Sequence, residues 1–503
     1  VAGLPASASS FPFAFPLYVI NVTTVAALKG LERVVCRYGG ATAHDSHVLP
    51  SQHRHEDGDH IGNAKIAPYV PRPVARIHPE RSLSSQSRDR GTYFVLRTSY
   101  SYLAFMQNRF MLYVVCWLSV VSAGVAATLF SVYLPLIAAE MAGGSATPTQ
   151  IGKTGSFAGS MFLVGWALGA FALGVAGDKI GRKMALFASV LTCSIGIVCT
   201  SFAPTLPILI ALRFLTGAGA GGILLMATVL ISEAWATGNR ARMVGIMMNA
   251  FPVGLIMSGL IAKNVVDWRT AYLIGGSTIF LAGAVLLVVR ESALWHSSEK
   301  HSLKQLVEPQ HRRDLTIGII LFGSMLVGLW AVFVWMPTWV HKISQPEQAQ
   351  TNRGIINIML GGGCLVGGLI AGPLSNGLGR RLAAALGYVG CIVLTSATFL
   401  TVQIPGAVLF SLAFLLALFI GINQGVLGTY LAELFPTRIR AAAVGVSMNV
   451  GRIITAITVL FMGVLVELMG GYNNAIVIFS SAYAIGLVTL LFARETRGEE
   501  ITG

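Results

Sequence analysis

From Met106 onward, long apolar runs alternate with short polar links. Twelve runs reach spanning length: 111–139, 152–176, 184–203, 206–235, 243–265, 270–289, 315–341, 354–376, 382–402, 405–434, 441–467 and 474–493. A helix needs about 20 apolar residues to cross the hydrocarbon core of a bilayer. Lipid offers no partner to backbone N–H and C=O groups, so runs this long and apolar cross as helices. The pattern predicts an all-α membrane protein with twelve transmembrane helices. The longest polar link, Arg290 to Asp314, divides them six and six.

Residues 1–105 break the pattern. They hold six of the ten histidines and none of the sixteen methionines, with many Ser, Pro and Arg. The apolar stretch Phe11 to Leu28 contains Pro12, Pro16 and Asn21, which suits neither a membrane helix nor a strong signal peptide. His44, His47, His53, His55, Asp57, Asp59 and His60 crowd together, yet a solvated low-complexity tail accounts for them without a metal. The expectation is a natural start at or near Met106, with 1–105 a disordered tail or upstream sequence. The remainder reads as an N-terminal six-helix bundle (106–295), a linker (296–313) and a C-terminal six-helix bundle (314–503).

The halves repeat each other. Gly174-Val175-Ala176-Gly177-Asp178-Lys179-Ile180-Gly181-Arg182-Lys183 reads G-x-x-x-D-x-x-G-R-K. Gly372-Pro373-Leu374-Ser375-Asn376-Gly377-Leu378-Gly379-Arg380-Arg381 follows the same plan, with Asn for Asp. Glu233, Arg240, Gly245, Met248 and Asn249 recur 200 positions later as Glu433, Arg440, Gly445, Met448 and Asn449, and Pro135 is echoed by Pro337. Two pseudo-symmetric six-helix bundles follow, an arrangement that usually places a substrate site between them near mid-membrane. Gly165/Gly169, Gly217/Gly221, Gly363/Gly367 and Gly421/Gly425 form G-x-x-x-G pairs that permit close helix packing.

Charge orients the bundle. One set of alternate links, with both ends, carries seventeen Lys and Arg, and the opposite set carries five: Lys153, Lys263, Arg269, Lys342 and Arg353. The positive-inside rule then places both termini and the long link in the cytoplasm of a bacterial-type inner membrane. This placement explains the net charge of +14 without nucleic acid. With 54% hydrophobic and 11% charged residues, against about 25% charged in soluble domains, lipid is the main solvent. The six cysteines are scattered without a C-x-x-C and read as packing residues, and no metal or cofactor motif stands out.

The paired loops resemble those of the major facilitator superfamily, whose members carry such a loop between helices 2 and 3 and again between 8 and 9. Glu433-Leu434-Phe435-Pro436-Thr437-Arg438-Ile439-Arg440, with Arg290-Glu291-Ser292-Ala293-Leu294-Trp295, resembles the branch of metabolite–proton symporters, organic ion carriers and sugar porters. The resemblance covers about 106 to 497; the second motif departs from it, with Ala293-Leu294 in place of the usual Pro-Arg. It implies a secondary transporter working by alternating access, as a monomer among lipids, with a small-molecule substrate and a co-transported proton. By the same resemblance Asp178 locks the cytoplasmic face, and Glu233 and Glu433 pair with loop arginines to close an inner gate. Arg213 opens the R-x-x-x-G-x-x-x-G motif tied to coupling or gating. The expected gating set is Gly174, Asp178, Gly181, Arg182, Lys183, Gly372, Asn376, Gly379, Arg380, Arg381, Arg213, Glu233, Glu433 and Arg440. Pure topology determinants remain the alternative for the basic residues.

The substrate-binding candidates lie inside the runs. Arg452 sits about 16 Å along its helix, near the middle of a core about 30 Å thick. A charge there almost always faces a cavity or a partner. Two readings stay open: a substrate anion, as in related carriers with G-R-I, or helix carbonyls. Asn449, Asn249, Asn423, Gln424 and Asn357 are the accompanying hydrogen-bonding candidates, each equally suited to join helices. Trp330, Trp335 and Trp339 either line the cavity or form an interfacial belt. No Asp or Glu falls in the middle third of any run, so the residues do not supply the proton coupling that the branch implies. The expected cargo is a small organic anion, a carboxylate metabolite, taken up rather than expelled. A neutral sugar or polyol carrier is the alternative, although run 7 lacks the glutamines such carriers use. A non-transporting membrane sensor is the alternative of another class, and no enzymatic centre is expected.

Overall fold

The computed structural model describes residues 85–235, 239–292 and 308–497. Twelve described helices are long and apolar enough to cross a membrane. In the first half they are α1 (Arg109–Met141), α2 (Pro148–Ile180), α3 (Arg182–Thr200), α4 (Leu206–Ala234), α5 (Arg242–Asn264) and α6 (Trp268–Val288). In the second they are α7 (Pro309–Ile343), α8 (Pro346–Leu378), α9 (Arg380–Thr401), α10 (Ala407–Glu433), α11 (Ile439–Leu468) and α12 (Tyr472–Thr489).

Several helices outrun the apolar stretches that announce them, because their ends carry polar residues that hydropathy assigns to links. α2 starts at a capping box, Thr147 with Gln150, and continues through Asp178. α8 starts at Pro346 and so takes in Arg353. Pro stands at the start of α2, α4, α7 and α8, where its missing N–H costs nothing. The two domain boundaries drawn from composition do not coincide with element ends. α1 is the end of a longer helix, Ser85–Met141, which crosses the boundary at 105, and α7 begins before 314. Residues 1–84, with the histidine cluster, and 293–307, with most of the expected linker, lie outside the described residues.

Packing repeats from half to half. α2 packs on α4 as α8 packs on α10, and α1 on α5 as α7 on α11. The four G-x-x-x-G pairs make the first of these crossings. A Cβ at Gly217 would stand 2.0 Å from the Phe162 carbonyl oxygen, and one at Gly367 2.0 Å from that of Leu418. No side chain fits there, so glycine sets the interhelical distance. Between the halves, α2 meets α11 and α5 meets α8, again as a symmetric pair. α7 is the most buried span, with Trp330, Trp335 and Trp339 all 5% exposed or less. These tryptophans therefore pack inside the protein rather than forming a belt at the lipid interface.

Candidate functional site: a central arginine between two latched halves

Arg452 on α11 is half-buried where the halves meet. Its guanidinium lies 5.2 Å from the ring centroid of Trp166 on α2, in cation–π range. Its Nη1 donates to Asn449 Oδ1 at 3.0 Å, one turn back on the same helix. Trp166 in turn packs against Trp330 of α7 at 6.2 Å, Phe251 of α5 at 5.8 Å and Phe162 at 5.6 Å. One cation thus faces an aromatic wall built by helices of both halves. Sequence reasoning did not single out Trp166; its place between Gly165 and Gly169, within the α4 crossing where its carbonyl oxygen faces Gly221, was the available signal.

The remaining substrate candidates separate. Asn357 donates to the Leu255 carbonyl at 3.1 Å and to Ser258 Oγ at 2.8 Å, stitching α8 to α5. Asn423 is fully buried and turns away from the interface. With its amide oriented to satisfy both atoms, it donates to the Ala384 carbonyl and accepts from the Tyr388 N–H on α9. Gln424 is exposed, one turn from Gly421 and Gly428. Asn249 bonds the Gly245 carbonyl of its own helix at 3.3 Å. Arg213 is buried inside the first half, between the faces of Phe130 (4.7 Å) and Phe162 (4.3 Å), and donates to the Ala126 carbonyl at 2.8 Å. It stands behind Phe162 rather than beside Arg452.

The repeated signature is almost wholly helical. Each loop shrinks to one glycine, Gly181 at φ +98° and Gly379 at φ +92°, joining α2 to α3 and α8 to α9. A carboxylate from the end of each half caps the helix that follows. Glu291 accepts from the N–H groups of Arg182 (2.7 Å) and Lys183 (3.2 Å), and Glu495 from those of Arg380 (2.8 Å) and Arg381 (3.0 Å). Orphan donors and the positive helix end both favour an anion there. Burial raises the Glu495 pKa, but the N–H groups of Arg380, Arg381, Arg497 and Thr496 outweigh it and hold the carboxyl below the usual range. Neither glutamate was among the expected gating residues. The recurrence of Arg290-Glu291-Ser292 as Arg494-Glu495-Thr496 was the signal.

Side chains complete each cluster. Arg182 bonds Asp178 and reaches Glu233 at 3.6 Å, whereas Arg380 grips Glu433 at 2.9 and 3.0 Å and also bonds Asn376 at 2.8 Å. Arg381 donates to the Leu490 carbonyl, and Arg440 to that of Phe435. Gly174 packs under Leu225, while Gly372 has open space where a Cβ would stand. Each of the bonds just named stays within one half.

Hydrogen bonds between the halves lie toward the opposite face. Ser160 donates to the Ala456 carbonyl, Ser156 accepts from the Gly463 N–H, and Tyr472 donates to the Pro148 carbonyl. Arg353, 1% exposed, donates from α8 to the Val132 carbonyl of α1 at 2.7 Å. Gln350 beside it donates to the Ala262 carbonyl at 2.7 Å. These bonds latch the halves together on the side of the central site away from the basic face. Near the basic face, a Cβ added at Gly245 or Gly445 would meet nothing within 4 Å.

The Major Facilitator Superfamily profile matches residues 116–351, and the Sugar (and other) transporter profile matches 288–502. The chain belongs to the major facilitator superfamily. It is a multi-pass membrane transporter, not an enzyme. The cis,cis-muconate transport protein of Acinetobacter baylyi is 28% identical over 359 residues, 67% of this chain and 84% of the relative. A putative niacin/nicotinamide transporter of Bacillus subtilis is 28% identical over 353 residues, 68% of this chain and 87% of the relative. An inward-open structure of the xylose transporter XylE from E. coli superimposes with a TM-score of 0.62 at 16% identity, over 78% of this chain and 98% of that one. In this transporter the aromatic wall and Arg452 lie where the two superfamily halves meet.

Proposed function

We propose that this transporter carries a small organic carboxylate of planar, unsaturated shape, by alternating access across the cytoplasmic membrane and in the direction of uptake. Arg452 binds the carboxylate with help from Asn449, and Trp166, Trp330 and Phe251 receive the flat body of the substrate. The observation that carries this reading is the guanidinium poised 5.2 Å from Trp166 across the interface. Cation and ring faces together suit an anion with a delocalised framework better than a polyol, which needs several hydrogen-bonding side chains. The two relatives whose names mention muconate and niacin support the same chemistry. One chain supplies both halves, so a monomer is the working unit. The basic face is cytoplasmic in this reading, with both termini on that side, and the paired arginine–carboxylate clusters gate it.

Thermal stabilisation of the purified protein tests the proposal, using nicotinate, cis,cis-muconate, xylose, myo-inositol and a quaternary ammonium. A ligand present at 100 times its Kd adds about 2.7 kcal/mol to the folded state. Carboxylates should raise the melting temperature of the wild type and lose that effect in Arg452→Ala. Stabilisation by sugars that survives in Arg452→Ala would make Arg452 structural and the cargo neutral. Binding without flux into liposomes would mark a sensor.

A further inference from the structure

The three arginines deep in the bundle differ in how they are satisfied. Arg213 has the Ala126 carbonyl and two ring faces inside its own half. Arg353 has the carbonyls of Val132 and Ala349 and the amide of Gln350. Arg452 has one polar partner among the described residues, the neutral Asn449, and one ring face belonging to the other half. The ion pairs Asp178–Arg182, Arg182–Glu233, Glu140–Arg269, Arg380–Glu433 and Asp314–Arg494 sit at helix ends. No carboxylate of this chain accompanies Arg452 among the described residues.

We infer that the transporter is an exchanger of organic anions, whose empty form recrosses the membrane slowly. The inference rests on the carboxylate reading of the same site. To change sides, the halves must pass through a state closed at both faces, in which Arg452 has lost contact with water. A neutralised guanidinium makes that passage; a bare one pays the cost of a charge in hydrocarbon. The bound carboxylate supplies the neutralising charge in both directions. A carrier with its own mid-membrane carboxylate would return empty as an internal ion pair or by taking up a proton. Here the return trip needs a second anion. The exchange of one monovalent anion for another moves no net charge and needs no proton.

Flux into liposomes holding the full-length protein tests this, with labelled nicotinate and labelled benzoate, each a monoanion, as probes. Uptake into vesicles preloaded with the same unlabelled probe should exceed uptake into vesicles loaded with sulfate on the order of 100-fold. A protonophore or an imposed pH gradient should leave the exchange rate unchanged. Equal rates in loaded and sulfate vesicles, or net accumulation driven by a pH gradient, would overturn the inference while leaving carboxylate binding intact. If neither probe stabilises the protein or enters the vesicles, the carboxylate reading fails and exchange falls with it. Asn449→Asp sets a carboxylate beside the guanidinium and should raise uptake into sulfate vesicles toward the loaded rate. Unchanged strict exchange in that variant, with an unchanged melting temperature, would refute the charge account. If that variant does not fold, the wild-type ratio decides alone.

Discussion

The basic ends of the two halves share a plan, and the difference that bears on their arginines is Asp178 against Asn376. In the first half Asp178 lies one turn before Arg182 and draws its guanidinium, leaving Glu233 at 3.6 Å with Oε2 unsatisfied. In the second half the neutral Asn376 takes a single hydrogen bond from Arg380 and leaves Nε and Nη2 free for Glu433. Thr496 adds a hydrogen bond to Glu433 at 2.6 Å. A missing charge therefore makes the interhelical grip firmer. Competition between an i,i+4 neighbour and a partner on another helix is decided by the charge of the neighbour.

The largest effect is expected at the one-residue turns. Both glycines have backbone angles essentially closed to other residues, at a cost of about 1–3 kcal/mol. A Cβ at Gly181 would also stand 2.2 Å from Glu291 Oε2, against 2.8 Å from Glu495 Oε2 at Gly379. Gly181→Ala should lower the melting temperature more than Gly379→Ala, with Gly372→Ala, in open space, as the control. A drop no larger than the control's would remove strain from the account.

Next come the arginines. Arg380→Ala strips Glu433 of its charge-assisted bonds from Nε and Nη2 and should destabilise the protein more than Arg182→Ala does in equilibrium unfolding. The reverse order would mean that Asp178 does not weaken the first cluster. A smaller effect follows from swapping the neighbours. In double-mutant cycles, Asp178→Asn should raise the Arg182–Glu233 coupling by up to about 1 kcal/mol, and Asn376→Asp should reduce the Arg380–Glu433 coupling by a similar amount. Unmoved couplings would break the comparison outright.

The smallest effect concerns acid. The Glu495 carboxyl is held below its ordinary range, so it binds fewer protons folded than unfolded near its ordinary pKa. Its contribution is complete above the ordinary value of about 4.3 and fades as pH falls through the folded value. Melting temperatures of wild type and Glu495→Gln should converge as pH drops below about 4. Parallel profiles would show that the cap carries no pH-dependent stability.

The fold was legible because lipid leaves the backbone so few options. Length and apolarity gave twelve spans, and the spacing of Gly217, Gly221, Gly421 and Gly425 marked the tight crossings. Helix ends were less legible, since hydropathy treats Asp178 and Arg353 as link residues although both lie in helices. The site was read in part. Arg452 stood out as a charge at mid-membrane, but Trp166 is one aromatic among many until α2 is laid against α11. Asn423 and Asn449 look alike in sequence; one faces α9 and the other accompanies Arg452, a difference of helix rotation. Glu291 and Glu495 were hidden because their partners are backbone N–H groups, which leave no mark in side-chain chemistry.

A turn of a single glycine, pinned by a glutamate from the far end of the same half, has a mechanical meaning. It leaves no slack between α2 and α3, or between α8 and α9. Stiff couplings waste little work, so a tilt started where cargo is held reaches the membrane surface nearly undiminished. Each half can thus serve as a lever, with the play that motion requires located between the halves rather than within them.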